Sequence, residues 1–558
     1  MNTGKKIISG WLVLMFLGLT FTGCNDFFEP ETDDALTGDK YIQTQTEMYT
    51  GFLGIVTKMQ AVGDKAIYLT DTRGELLEPT SNSPSELIAI YNYESNLQGN
   101  AYADPAGYYD VVIACNDFIS NMLEYKEKYT ESIDVEHFNA LISSTLRIKV
   151  WAYMTIGKIY GQALWFSDPM VKIQDLSDAS KFELLDLDGV MNACINLLEQ
   201  GVDGIDGSLT FSWYEWLDPE TALGDSEYRF WDYMTPDYAG LYGELCLWTG
   251  RYQDAADVLL DALNEKISSS TSDATPWIRN VTLNGNYATI WNYPDPYARE
   301  VVSAIIYSYT NDQTNDLLRH FGTEYPNEYL LRPTDFGMAR FSNDTLNPVG
   351  SGSETRMGVT FTTLSDGRSV IRKFRPNGNR RPYPYQDDVH IYIFRASEYH
   401  FMLAEALNNL GRFEEADALI NTGVSGKFPT GGVTWDGFTD DWTTSTALGT
   451  RKYPNVGIRG TFGLSSRTFR TIVSDAAKEE AKKFNDLAIM DEMLLEFPCE
   501  GKIYPALIRV AKRWNDYNVV ADRVVGKYGD RAEEVRSIIN SEVNGVQGCF
   551  VPWDLELN

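Results

Sequence analysis

The sequence predicts a mainly α-helical fold in which helical hairpins pack with a loop-rich region containing short β-strands. Three observations predict it. One helix–glycine–helix pattern occurs twice, stretches rich in Gly, Pro, Asn and aromatic residues separate the helical segments, and short runs of β-branched residues lie inside those stretches. With 558 residues and 43% hydrophobic composition, the chain can bury a large core.

The repeated pattern covers residues 238–255 and 399–416. Each copy has apolar residues at helical spacing, then a glycine (Gly250 or Gly411) that can end a helix with positive φ, then a second amphipathic stretch. The pattern resembles the tetratricopeptide repeat, a helical hairpin that buries its apolar face by stacking on its neighbours. Weaker matches lie at 146–161 and 487–512.

Within the hairpins, small residues such as Gly243 would let the paired helices approach closely. Glu244 and Glu405 occupy matching positions of the two copies. We expect each of them to bond inside its own hairpin rather than to act on a substrate.

The loop-rich region comprises residues 265–390 and 425–470. Short runs at 301–307 and 389–394 have the composition of β-strands. Because long irregular segments in a compact fold usually serve a function, this region is where we expect the ligand site.

The N-terminus has the features of an export signal. Two lysines precede an apolar run over 7–21, which is shorter than the ~20 residues that a membrane helix needs. Small residues stand directly before Cys24, as in a bacterial lipobox, and acidic residues follow it. We predict a lipoprotein signal peptide at 1–23, an acylated acidic tether at 24–37 and one interwoven globular domain at 38–558; the alternative is an ordinary secretory signal with a chance cysteine.

The charge and the missing motifs exclude several classes of function. A net charge of −32 disfavours nucleic acid and anionic lipid surfaces, which are bound through clusters of Lys and Arg. The sequence has no HExxH, GxSxG or P-loop motif, so we expect no metal, no cofactor and no enzymatic activity. Apart from Cys24, the cysteines are irregularly spaced, and Cys194 and Cys246 are expected to be small core residues.

Two motifs carry a resemblance to a known family. Residues 394–407 resemble the pattern R-x-x-E-x-x-L-x-x-A-E-A, beginning at Arg395 and with Phe401 in place of Leu, and residues 496–501 resemble E-x-x-x-E-G. The chain is therefore identified as resembling the SusD/RagB family of outer-membrane nutrient-binding lipoproteins. It departs from the family at Lys502-Ile503, where an Arg-Trp pair is common. Further pieces in the family's order lie at 109–116, 147–161 and 238–255.

The resemblance implies a lipid-anchored protein on the outer membrane, facing the cell exterior. Such a protein captures oligosaccharide or peptide and delivers it to a SusC-like TonB-dependent transporter. Two alternatives remain from the residues themselves. Many carboxylates leave room for a surface glycoside hydrolase, whose acid pair needs spatial rather than sequence spacing. The repeats alone would also suit a protein-assembly scaffold with tetratricopeptide-like repeats.

Aromatic residues of the loop-rich region are the candidate ligand contacts, because sugar C–H faces pack on aromatic rings and sugar hydroxyls need polar neighbours. The segment 291–297, stiffened by two prolines, is the best candidate. The predicted ligand-binding residues are Trp277, Tyr287, Trp291, Asn292, Tyr293, Tyr297, Tyr325 and Tyr102.

Two polar or charged segments are not among the predicted ligand contacts. A basic island at 368–381 could receive an acidic sugar, contact the transporter's loops or pair with local carboxylates. In the polar cluster 72–75, Arg73 is expected to make an internal link rather than a ligand contact.

Overall fold

The computed structural model describes residues 42, 44–129, 135–169, 181–201, 233–268, 287–292, 300–313, 315–342, 355–374, 388–423, 433–435, 438–440 and 457–554. Cys24, with the predicted signal peptide and tether, lies outside these residues. The first described helix begins with a capping box, in which the Thr44 side chain accepts from the Glu47 amide at 3.3 Å and the Glu47 carboxylate accepts from the Thr44 amide at 2.8 Å.

Most of the described chain is helical, which confirms the predicted class. The helices are α1 Gln45–Val62, α2 Lys65–Arg73, α3 Ser85–Tyr91, α4 Ala106–Lys128, α5 Val135–Tyr160, α6 Leu187–Gln200, α7 Tyr238–Thr249, α8 Tyr252–Ser268, α9 Tyr287–Asn292, α10 Leu317–Phe321, α11 Asp335–Ser342, α12 Thr355–Thr360, α13 Ala396–Asn409, α14 Phe413–Ile420, α15 Ile458–Thr461, α16 Lys478–Glu496, α17 Ile503–Trp514, α18 Asn518–Val524 and α19 Ala532–Ile539. The strands are β1 Leu77–Pro79, β2 Gln162–Trp165, β3 Glu183–Asp186, β4 Val301–Tyr307, β5 Leu331–Pro333, β6 Phe361–Thr363, β7 Ser369–Ile371, β8 Val389–Arg395, β9 Val433–Trp435, β10 Phe438–Asp440, β11 Glu542–Val543 and β12 Val546–Gln547.

The longer helices pack one against the next. Helix α4 packs on α1 and α5, α5 on α6, α6 on α7, and α7 on α8. Helix α8 then contacts α13, which packs on α14 and α16, and α16 is followed by α17. The hairpins therefore stack along the chain and bury their apolar faces against their neighbours.

Both predicted hairpins form. Helices α7 and α8 are joined at Gly250, whose φ is 76°, and α13 and α14 at Gly411, whose φ is 80°. This left-handed conformation is open to glycine at little cost. Gly243 also has the predicted role, because a Cβ built there would lie 2.8 Å from Leu259 on the partner helix.

The strands are short and pair in antiparallel twos: β1 with β5, β2 with β3, β4 with β8, β6 with β7, β9 with β10 and β11 with β12. The longest pair, β4 and β8, corresponds to the two predicted β-type runs. Their side chains are almost wholly buried, and Tyr307 faces Val389 at one end of the register.

The buried apolar side chains form one continuous cluster that runs through the hairpins and the β4–β8 pair. All five cysteines beyond Cys24 are buried free thiols, and Cys194 and Cys246 are core residues as predicted. Burial in apolar surroundings raises the pKa of both thiols, which keeps them protonated and unreactive.

Candidate functional site

Two of the predicted ligand-binding residues border one segment, α10 and the loop 322–330 that follows it. The ring of Tyr102 lies 5.7 Å from the ring of His320 on α10, centroid to centroid. Tyr325 belongs to the loop and is 93% exposed. This segment therefore brings an accessible aromatic ring and a half-buried one to the same part of the surface.

A polar cleft of about 260 Å³ opens on one side of this segment. Arg319 Nη2 donates to Glu328 Oε2 at 3.0 Å, and Asn82 Nδ2 donates to the Glu328 carbonyl oxygen at 2.9 Å. An aromatic ring beside amide, guanidinium and carboxylate groups is the combination that sugar C–H faces and hydroxyls require. The cleft is lined by Asn82, Pro84, Glu86, Ala101, Tyr102, Arg319, Glu328 and Leu330.

Two groups of the cleft, Arg319 and Tyr102, keep their protons at neutral pH. The hydrogen bond that Arg319 donates to Glu328 raises the pKa of Arg319 further above its usual value, so the guanidinium stays charged. Burial raises the pKa of Tyr102, so its hydroxyl stays protonated and able to donate. The cleft thus offers both donors and acceptors to a neutral ligand.

Buried groups beneath the polar cleft hold Tyr102 and α10 in place. His320 is fully buried, donates through Nδ1 to the Asp316 carbonyl oxygen at 2.5 Å and packs 5.1 Å from the ring of Tyr68 on α2. Burial lowers its pKa, so the imidazole is neutral. Asp64, at the start of α2, accepts from the Asp316 amide at 2.9 Å, and burial raises its pKa to about 6. These contacts tie α10 to α2.

An apolar cleft of about 190 Å³ lies on the other side, between α10 with its loop and the β6–β7 hairpin. The rings of Phe321 and Phe374 are nearly parallel, with 6.0 Å between their centroids, and both are buried in its floor. It is lined by Leu318, Phe321, Gly322, Thr323, Glu324, Asn327, Thr362, Leu364, Val370, Ile371, Arg372 and Phe374.

Tyr287 and Trp291, by contrast, face the core. Tyr287 is 1% exposed and donates its hydroxyl to the Glu496 carbonyl oxygen at 2.9 Å. Trp291 is 4% exposed, with its ring 4.9 Å from that of Tyr392 and 4.3 Å from Lys373 Nζ. The ring of Trp291 packs behind the floor of the apolar cleft, 5.7 Å from that of Phe374, and the ring of Tyr287 lies 6.1 Å from Trp291. In this structure neither ring is available to a ligand at the surface.

The other predicted contacts cannot be placed. Trp277, Tyr293 and Tyr297 lie outside the described residues, as does the side chain of Asn292. Their contact with a ligand stays a prediction.

Sequence reasoning missed most of the polar cleft. The sequence analysis does not predict Asn82, Glu86, Arg319 and Glu328, because isolated polar residues on turns and short helices have no distinctive pattern. The two parts of the cleft are also far apart in sequence, and they meet through contacts such as the pairing of Leu77–Pro79 with Leu331–Pro333 and the hydrogen bond from Asn82 to Glu328.

Within the described ranges, three or more His, Cys, Asp or Glu side chains nowhere gather in a way that could hold a metal ion. None of the helices in those ranges has the length and apolar character that a membrane crossing requires.

Comparison by sequence matches neither a family model nor a curated protein. Comparison of structures does find relatives. A SusD superfamily protein from Bacteroides vulgatus aligns with a TM-score of 0.62 and 13% identity over 91% of this chain and 96% of its own. Surface glycan-binding protein A from Bacteroides thetaiotaomicron, in complex with laminarihexaose, aligns with a TM-score of 0.57 and 15% identity over 91% of this chain and 100% of its own. A laminarin-binding SusD-like protein aligns with a TM-score of 0.56 and 14% identity over 86% and 94%.

The protein has the SusD-like fold. The names of two of these neighbours describe binding proteins.

The two motifs that resemble the SusD/RagB pattern meet inside this SusD-like fold. Arg395, at the end of β8, donates through Nη1 to Glu300 at 2.6 Å and to Glu496 at 3.1 Å, and through Nη2 to Glu500 at 2.9 Å. All four side chains are buried. Lys373 joins them, donating to Glu500 at 2.5 Å and to the Pro498 carbonyl oxygen at 2.7 Å. The motif residues are therefore an internal ion network rather than ligand contacts.

The described residues of the basic island 368–381 differ in burial and in partners. Lys373 is part of the buried network, whereas Arg368 is exposed and pairs with Asp366 at 2.6 Å. Arg372 lines the apolar cleft. The arginines of 375–381 lie outside the described residues. For Lys373, structural pairing was therefore the right alternative.

The expectation that the hairpin glutamates bond within their own hairpins is wrong. Glu405 on α13 accepts from Arg509 at 2.7 Å and Arg513 at 2.5 Å, both on α17. Glu244 on α7 accepts from Lys158 on α5 at 3.0 Å. These buried carboxylates link hairpins to other helices, which sequence spacing alone does not reveal.

Proposed function

We propose that the protein captures oligosaccharide at the cell surface through the polar cleft. The observation that carries the proposal is the chemistry of this cleft: an aromatic ring, an amide, a guanidinium and carboxylates converge on one space. Sugars bind through such combinations of C–H contact and paired hydrogen bonds. Support from similarity comes from SusD-like structures whose names state binding of laminarin or a complex with laminarihexaose.

The role in uptake extends this proposal. The lipobox-like residues before Cys24 support acylation and anchoring to the outer membrane, with the protein facing the cell exterior. The SusD-like fold supports delivery of the ligand to a SusC-like TonB-dependent transporter. Peptide remains the second candidate ligand, since amides and charged side chains also suit a peptide backbone.

A binding panel tests the capture step. Purified protein is titrated with a panel of neutral glycans that includes laminarihexaose, and with a panel of peptides, while the mixtures are analysed for cleavage products. We expect binding of at least one glycan without hydrolysis. Binding of peptides only would refute the oligosaccharide claim, and accumulating shorter sugars would favour the glycoside hydrolase alternative.

Labelled palmitate tests the anchor. The wild type should incorporate label and stay with the membrane, whereas Cys24→Ala should do neither. Cys194→Ala, which removes a buried thiol, is the matched control and should still label. A wild type that takes up no label would contradict the lipoprotein assignment.

A pull-down from gently solubilised native outer membranes tests the delivery step. A stoichiometric transporter barrel should co-purify with tagged protein. Its reproducible absence would leave a free-standing binder or an assembly scaffold.

A further inference from the structure

The polar and the apolar cleft share a wall. Arg319 and Glu328 line the first, whereas Leu318, Phe321, Thr323 and Asn327 line the second, and all belong to α10 and its loop. The exposed ring of Tyr325 lies in sequence between the residues that line the two clefts. A ligand held in the polar cleft therefore has a second recess on the other side of this segment.

The chemistry of the apolar cleft differs from that of a site for an unmodified sugar. Its floor is formed by apolar side chains, among them Phe321, Val370 and Phe374. A sugar hydroxyl buried against such a floor would lose its hydrogen bonds to water without replacement. The polar side chains of the lining are less buried than this floor and can meet the hydroxyl or carbonyl of a group whose end is apolar; they are Thr323, Glu324, Asn327, Thr362 and Arg372.

The size and rigidity of the cleft set a limit on its occupant. A space of about 190 Å³ admits a small substituent or one ring, not a helix or a protein surface. Its floor is fixed, because Phe374 packs on Trp291 at 5.7 Å and the preceding Lys373 is anchored to Glu500 in the buried ion network. A fixed recess favours a group of matching shape over a range of groups.

We propose that the apolar cleft is a subsite for a methyl-terminated substituent on the glycan, and so makes the protein selective for substituted over bare sugars. The two kinds of substituent share a methyl group on a carbon that bears oxygen, as in a 6-deoxy sugar or an O-acetyl ester. The inference rests on the proposed glycan-binding function and adds to it the class of glycan.

Matched ligand pairs test the inference and distinguish the two sources. L-fucose and L-galactose differ only in a methyl in place of a hydroxymethyl group, and acetylated xylo-oligosaccharides can be compared with the same sample after alkaline deacetylation. Each pair competes against the best glycan of the binding panel. In one of the two pairs, we expect the methyl-bearing member to bind at least tenfold tighter than its partner, which is within the range known for apolar pockets. The pair that shows this preference tells whether the methyl group belongs to a 6-deoxy sugar or to an acetyl ester.

Cleft-filling variants locate the effect. Thr362→Trp fills the apolar cleft from β6, and Leu364→Trp fills it from the following turn if the first variant fails to fold by circular dichroism. Thr363→Trp, at an exposed position outside the lining, is the matched control. The filled variant should lose the preference for the methyl-bearing ligand yet still bind the unsubstituted glycan. The control should keep both the preference and the binding.

The outcomes separate the two claims. Equal binding within both pairs, or a preference that survives in the filled variant, overturns the inference while leaving glycan capture intact. A wild type that binds no glycan of the panel refutes the proposed function, and the inference with it.

Discussion

The carboxylate of Glu492 on α16 is fully buried among three arginines. It accepts from Arg356 at 2.8 Å, Arg459 at 2.6 Å and Arg467 at 2.8 Å. Burial alone would raise the pKa of this carboxyl, yet the three guanidinium groups outweigh burial and hold it at about 2. A buried ion cluster of this kind is costly to break, because removing one charge leaves the others uncompensated.

The first prediction concerns Glu492→Gln. At pH 7 the variant should lose about 3–5 kcal/mol of unfolding free energy. Since the folded pKa lies below the ordinary value of 4.5, the contribution of Glu492 is present above pH 4.5 and is lost as pH falls through about 2. The difference in Tm between wild type and variant should therefore shrink over that window.

Glu480→Gln, on the same helix, is the matched control. Glu480 pairs with Arg470 but is 74% exposed, so its removal should cost no more than about 1 kcal/mol. Equal losses for the two variants at pH 7 would show that the buried cluster does not stabilise the fold.

The second prediction separates core from surface aromatics. Trp291→Ala should lower the unfolding free energy by about 3–5 kcal/mol, because it leaves a cavity among Tyr392, Phe374 and Lys373. Tyr325→Ala, at a 93% exposed position, should change it by less than about 0.5 kcal/mol. Urea unfolding measures both. A Trp291→Ala protein of wild-type stability that binds glycan more weakly would restore Trp291 as a ligand contact.

The roles of single residues were predicted unevenly from the sequence. The internal role of Arg73 was predicted, and its Nη2 donates to the carbonyl oxygens of Gly548 and Phe550 at 2.9 Å each. The burial of Trp291 was not predicted, although its contacts Tyr392 and Lys373 lie closer along the chain than the partners of Arg73. An aromatic residue in a loop-rich stretch has the same sequence signature whether it faces the core or the solvent.

The hairpins are the elements that the sequence predicted best. Helical spacing of apolar residues and a terminal glycine are local signals, and they correctly marked α7–α8, α13–α14 and the end of α5 at Gly161. How the hairpins are bonded to one another was mispredicted, because Glu405 finds its arginines on α17. Such contacts between elements have no periodicity in the sequence.

The third prediction uses the close approach of α7 and α8. Gly243→Ala places a Cβ 2.8 Å from Leu259, so the helices must shift, and we expect a loss of about 1–3 kcal/mol in unfolding free energy. Gly54→Ala on α1 is the matched control, with nothing within 4 Å of the new Cβ, and should stabilise by about 0.5–1 kcal/mol. Stabilisation by both substitutions would mean that the hairpin has room at Gly243.

At the scale of the molecule, the resemblance of two motifs was enough to predict the SusD-like fold. The sequence identity to the three structural neighbours described above is only 13–15%. Within these motifs, Arg395, Glu496 and Glu500 form a buried ion network, in which each charge requires its partner. The proposed ligand site has no such motif. It is assembled from 82–102 and 319–330, and the sequence alone predicted only Tyr102 and Tyr325 of the residues that border it.

Calorimetric titration of Arg319→Ala with the best glycan of the panel tests the central claim most directly. Arg368→Ala is its matched control, since both arginines are 46% exposed and pair with carboxylates on the surface, but only Arg319 lines the polar cleft. We expect Arg319→Ala to weaken binding at least tenfold, or about 1.4 kcal/mol, and Arg368→Ala to bind like the wild type. Equal affinity of both variants and the wild type would contradict capture in the polar cleft.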